Sequence, residues 1–146
     1  VRRSPVPFTS HAAMINMDMI GRGTGKPLRM SGMGTCPDWE GIVTRAATTV
    51  KLPCTLAPGF TGEMDGNTDH EPFAHNGIPI ICFFTGYHDD YHQVTDHADK
   101  LDYKRMERVA QMALLTLIEV ANMPEKPKYT LPTAAMKEKE ILQKKR

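Results

Sequence analysis

Residues 78–84, IPIICFF, constrain this chain more than any other stretch. They form a dense apolar run bounded by Gly77 and Gly86. The run is too short for a membrane-spanning helix, which needs about 18 apolar residues, and it lacks the polar alternation of a half-exposed strand. It reads as a strand buried on both faces, which requires cover from above and below. Residues 102–122 supply a matching partner. Met106, Val109, Ala110, Ala113, Leu114, Leu117 and Ile118 recur at helical spacing, with Lys104, Arg105, Glu107 and Arg108 outside that stripe. A second helix is predicted over 38–50, with Asp38 as its cap and Ile42, Val43, Ala46 and Ala47 on one side. Residues 12–20 (AAMINMDMI) read as another buried strand, broken by Asn16 and Asp18 and ending at Gly21-Arg22-Gly23. Residues 26–31 give a further short strand. Strands without alternation, interleaved with amphipathic helices, predict an α/β sheet covered on both faces.

The chain has 146 residues, room for one domain with a real core. Hydrophobic residues at 40% and charged residues at 24% exclude wholesale disorder. The domain is expected over 1–123. Beyond it, PEKPKYTLP reads as a Pro-rich linker, and 134–146 as a charged tail with little to bury. Residues 124–146 hold seven Lys/Arg against three Asp/Glu; with a net charge of +1 overall, residues 1–123 carry −3. A mildly acidic body gives no reason to expect a nucleic acid partner. Cys36, Cys54 and Cys82 form no C-x-x-C pair, which argues against a structural zinc finger or a disulfide scaffold. Three buried thiols and a single Cys36–Cys54 bridge are both open. The start, VRRSPVPF, has neither an initiator Met nor an apolar signal core, so the chain is expected to be processed or part of a longer one.

Two places can carry chemistry. Asp18 sits in an otherwise apolar segment, where an ionised carboxylate must be paired or bound to a metal. It either caps the turn at Gly21 or faces a ligand at the carboxyl end of its strand. Residues 86–99, GYHDDYHQVTDHAD, gather His88, Asp89, Asp90, Tyr91, His92, Asp96, His97 and Asp99 directly after the buried strand. Imidazoles with carboxylates are the donor set of a zinc site; a solvated polar loop is the plain alternative. Two other motifs fail. His70-Glu71…His75 places the second His five residues on, about 140° round a helix, with Pro72 inside. Asp65, Asn67 and Asp69 open like a calcium loop, but His70 stands at the glycine position and Asn76 at the glutamate position.

Three segments in order carry a resemblance. They are NMDMIGR (16–22), NTDHEPF followed by GIPIICFFTG (67–86), and DYHQVTDHADKLD (90–102) before a long amphipathic helix. Together they resemble the C-terminal part of the co-catalytic di-zinc aminopeptidases, the family of secreted bacterial leucyl aminopeptidases. Glutamate carboxypeptidases and glutaminyl cyclases are more distant relatives. The resemblance covers about residues 8–122. It implies a three-layer α/β/α domain with a mixed sheet, whose N-terminal part lies outside these residues. It also implies Asp18 as ligand of one Zn2+ and His92 as ligand of the other, with Asp96 behind His92. Tyr91 corresponds to a tyrosine that helps stabilise the tetrahedral intermediate, and Asp69 to an acid in the shell behind the metals. His88 and His97 receive no role.

The same resemblance implies hydrolysis of N-terminal peptide bonds by metal-activated water, on peptides with a free amino terminus. The bridging H-x-D and the Glu-Glu pair of the family lie upstream of NMDMIGR. Only 17 residues precede Asp18 here, with His11 but no Asp or Glu. Each zinc would keep one ligand from this chain, against three or four in working sites. The isolated chain is therefore expected to be inactive, with the upstream part of the domain as its partner. An extracytoplasmic location is implied through relatives alone. Two alternatives remain: a glutaminyl cyclase-like zinc acyltransferase, against which Tyr91 stands where that branch has Trp, and a non-catalytic binding module of the same fold.

Overall fold

The computed structural model describes residues 4–56 and 68–130. The strands are β1 (Met14–Asp18), β2 (Leu28–Ser31), β3 (Cys54–Leu56) and β4 (Ile80–Phe84). The helices are α1 (Trp39–Val50), α2 (Glu71–His75) and α3 (Tyr103–Ala121). The sheet order is β1-β4-β2-β3. β1 and β4 are parallel, β2 and β3 are parallel, and β2 meets β4 antiparallel, so the sheet is mixed.

The run 78–84 behaves as its composition requires. Every residue of β4 is buried, and the strand is paired on both sides. Alternation then sorts the layers. Ile81 and Phe83 join Leu28 and Met30 in a core with Trp39, Ile42 and Val43 of α1 and Val109, Met112 and Ala113 of α3. Burying each large side chain contributes roughly 2 kcal/mol. The opposite face carries Asn16 and Cys82, directly in register, and there the segment entering α2 packs through His70. The helices α1 and α3 thus cover one face, and the segment entering α2 lies against the other, as in a partial α/β domain.

Thr35, fully buried, ties the layers together. Its hydroxyl accepts from Trp39 Nε1 (3.2 Å) and from Ile80 N (3.0 Å), and lies 2.7 Å from the Gly32 carbonyl oxygen. Gly32 has φ +82°, and a Cβ there would lie 2.5 Å from the Ile80 carbonyl oxygen, so the turn admits no larger residue without displacing β4.

Four local expectations change. Asp38 stands at the N-cap of α1, yet its side chain makes no capping bond; its Oδ2 takes the Cys36 thiol at 3.5 Å. Asp102 does cap α3, accepting from Arg105 N at 3.0 Å. The apolar arc of α3 is wider than its contact with the core. Val109, Met112, Ala113, Thr116 and Val120 face inward, while Leu114, Leu117 and Ile118 are about half exposed. α1 occupies the other flank of α3, through Arg45 Nε to Glu119 Oε1 at 3.0 Å and Arg108 to the Lys51 carbonyl. Arg105, expected on the polar side, is buried instead. Finally, residues 124–130 run back across the domain: Tyr129 donates to the Ala74 carbonyl (2.9 Å) and Thr130 N to that of Thr35 (2.9 Å). Residues 131–146 of the expected tail lie outside the described residues, as do Asp65 and Asn67.

All three cysteines are free thiols, so the Cys36–Cys54 bridge is not formed; Cys54 is half-buried where full burial was expected. Burial raises each thiol above its ordinary value, and Cys82 is pushed up to about 12.

Candidate functional site

The register of β1 on β4 places Asp18 opposite Phe84, at the carboxyl ends of two parallel neighbours. The chain leaves β1 through Met19 in a left-handed conformation (φ +51°), and the Thr85 hydroxyl donates to the Met19 carbonyl. The two exits are thereby fixed side by side. This is the sheet end where open α/β folds bind ligands. Asp18 is half-buried.

From the end of β4, aromatic rings climb into the 87–100 loop. Phe84 meets Tyr87 edge-on at 5.3 Å, Tyr87 meets Tyr91 at 5.0 Å, and Tyr91 stacks on His92 at 3.9 Å with the rings 23° apart. Such pairs contribute about 1 kcal/mol each beyond area burial. Tyr91 is half-buried and His92 exposed, with φ +56°.

Asp96, expected behind His92, pairs with Arg22 and lies near His88. Its Oδ1 lies 2.7 Å from Arg22 Nη2, and its Oδ2 is 3.9 Å from His88 Nε2. Arg22 also reaches Asp90 Oδ2 at 2.8 Å, and Asp90 receives Lys100 Nζ (2.6 Å) and Thr95 Oγ1 (2.7 Å). Lys100 first, then Thr95 and Arg22, hold the Asp90 carboxyl far below the usual carboxylate range. Asp69 is exposed and makes no cap on α2; its neighbour His70 takes the interior position. His88 is largely buried, with Nδ1 unpartnered.

Two participants escaped the sequence reading. His70, dismissed with the false metalloprotease motif, is fully buried between Asn16 and Thr68. Arg22 closes the NMDMIGR motif and organises the acidic loop. The only signal for it was a cation placed after a strand in a body rich in Asp.

A cavity of about 490 Å³, lined by Lys26, Pro27, Arg29, Thr55, Thr85, Gly86 and Tyr87, opens at the same sheet end. Among the described residues no three His, Cys, Asp or Glu side chains converge as a metal site. Also among them, no helix is long and apolar enough to cross a membrane.

Comparison with known proteins bears on the family and the fold. The family profile of peptidase family M28 matches residues 2–117. No curated protein matches the chain. The crystal structure of the LapA aminopeptidase of Legionella pneumophila is similar in fold, with a TM-score of 0.63 and 19% identity. The match covers 78% of this chain and 32% of that one, so the chain spans about a third of the length of LapA.

Proposed function

Because the chain belongs to peptidase family M28, we propose that it is part of a zinc-dependent aminopeptidase that removes residues from the free amino end of peptides. The observation that carries this reading is the parallel pairing of β1 with β4, which sets Asp18 opposite Phe84, two residues before the loop that bears Tyr91 and His92 begins at Gly86. In this reading Asp18 and His92 each lend one donor to a metal centre. The Tyr91 phenol offers an O–H to charge developing on the scissile carbonyl oxygen.

The described residues do not fit two zinc ions by themselves, since no three donors converge among them. The remaining ligands and the general base would come from a further part of the same domain. Two features support that. β1 is at the edge of the described sheet, and Leu114, Leu117 and Ile118 expose an apolar stripe on the flank of α3 away from α1. We extend the reading to an extracytoplasmic location on family resemblance alone.

The test is hydrolysis of leucine p-nitroanilide with added Zn2+. It compares this chain with the same chain extended at its amino end by an M28 segment carrying H-x-D and Glu-Glu. We expect turnover only from the extended protein, and a loss of about 100-fold or more in kcat for Asp18→Asn or His92→Gln. Hydrolysis by the 146-residue chain alone, or a folded, zinc-loaded extended protein without activity, would overturn the reading. Cyclisation of N-terminal Gln in place of hydrolysis would move it to the glutaminyl cyclase branch.

A further inference from the structure

Arg22 closes the 16–22 motif, yet no part of the proposed chemistry falls to it. Its side chain is 16% exposed, and one nitrogen, Nη2, serves two carboxylates, Asp90 at 2.8 Å and Asp96 at 2.7 Å. A guanidinium Nη carries two hydrogens, one for each acceptor. The carboxylates stand two residues before and four residues after His92, so a single cation closes both ends of the turn that carries it. Asp90 gathers the rest of that turn through Thr95 and Lys100.

Neighbouring contacts fasten the exit of β1 to residues 101–102, at the far end of the same loop. Thr24 Oγ1 donates to Asp102 Oδ2 at 2.7 Å, and Asp102 N donates to the Gly21 carbonyl at 2.9 Å. A Cβ on Gly21 would lie 2.6 Å from Leu101 Cδ2, so the segments pack without space between them. Within this frame His92 holds φ +56°, a left-handed conformation that a side chain disfavours and that persists only when its surroundings enforce it.

We propose that Arg22 is a positioning residue: it clamps Asp90 and Asp96 onto the exit of β1 and thereby fixes the stacked Tyr91–His92 pair within the loop that follows β4. The importance of that pair rests on the function proposed above. The clamp itself requires neither metal nor substrate. Its two carboxylates face two cations, Arg22 shared between both and Lys100 on Asp90, and bonds between ionised partners are the stronger kind. The aromatic ladder holds the pair from the β4 side and Arg22 from the β1 side.

The test reads the His92 ring by NMR in the metal-free 146-residue chain. Stacking on Tyr91 displaces the His92 ring protons from free-histidine positions and gives Tyr91–His92 cross-peaks. Arg22→Met is expected to return those protons toward free-histidine positions and abolish the cross-peaks, while the methyl signals of Val43, Ile81 and Val109 stay in place. Asp96→Asn, at a side chain 39% exposed, keeps the fold and is expected to move the ring protons in the same direction. Unchanged ring signals in Asp96→Asn, or in a folded Arg22→Met, would overturn the proposal. If Arg22→Met does not fold, Asp96→Asn decides alone. Failure here leaves the peptidase reading standing, and failure of the hydrolysis test leaves the clamp standing.

Discussion

Asn16 Nδ2 lies 3.1 Å from Nδ1 of His70, across 54 residues of sequence and with both side chains buried. With Asn16 donating, His70 Nδ1 accepts and its Nε2–H donates to Thr68 Oγ1 at 3.0 Å, so the neutral ring is satisfied at both nitrogens. Asn16 Nδ2 is also 3.7 Å from Cys82 Sγ, and Asp18 lies two residues further along β1. The polar side of the sheet under the candidate site therefore has its own hydrogen-bond network.

That network sets an acid limit. Burial lowers the His70 pKa below its ordinary 6.5, against weaker opposite pulls from Glu71, Asp18 and Asp69. Below pH 6.5 the unfolded chain binds this proton and the folded chain resists it, so stability is complete above that value and falls as pH drops. The slope reaches about 1.4 kcal/mol per pH unit for one proton. Urea melts between pH 5 and 8, as round limits about the imidazole value, should show this decline, and His70→Gln should flatten it. An equal slope in both proteins would exclude His70 as its source.

Thr35→Val leaves two buried donors, Trp39 Nε1 and Ile80 N, without their acceptor. We expect a loss of about 2–3 kcal/mol, because unsatisfied buried groups forfeit their full solvation. The urea midpoint should fall with an unchanged denaturant slope. Thr35→Ser, which keeps the hydroxyl, should recover most of the loss.

Arg105 is 5% exposed, with Nε and Nη2 unpartnered. Burial lowers its pKa against the pull of Asp102. A desolvated, partly unpaired guanidinium is costly, and an apolar residue of similar length removes that cost. Arg105→Met should stabilise the chain by about 1 kcal/mol in the same melts. A destabilised variant would mean that the charge has a use in the fold.

The three thiols should separate by access. Cys54 is half-buried, whereas Cys36 and Cys82 are buried, Cys82 with its thiol pushed up to about 12. Iodoacetamide on the native chain should label Cys54 first and reach Cys82 only on unfolding, since the thiolate is the nucleophile. Mass spectrometry of quenched time points reads the order.

Strand β4, the helices α1 and α3 and the core of β1 were legible in the sequence because each is written in contiguous residues. A dense apolar run or a helical repeat states its own burial. β3, with only three residues, was too short to declare itself. The inward face of α3 was half legible: its apolar arc covers more than one neighbour can bury, so the pattern could not say that Leu114, Leu117 and Ile118 stay outside. The Arg22 partner of Asp96 was not legible, because the sequence records distance along the chain and not across the gap between residues 22 and 96.

By itself, then, the sequence determined which segments must be covered, and through three ordered motifs it pointed to the M28 family. The tertiary structure decided the rest. It set β4 between β1 and β2, brought Asn16 against His70, and turned Arg22 onto two carboxylates flanking His92. The physical reason is range. Periodicity records how each segment meets solvent, while hydrogen bonds and ion pairs between residues 54 to 74 positions apart exist only after the sheet has chosen its order.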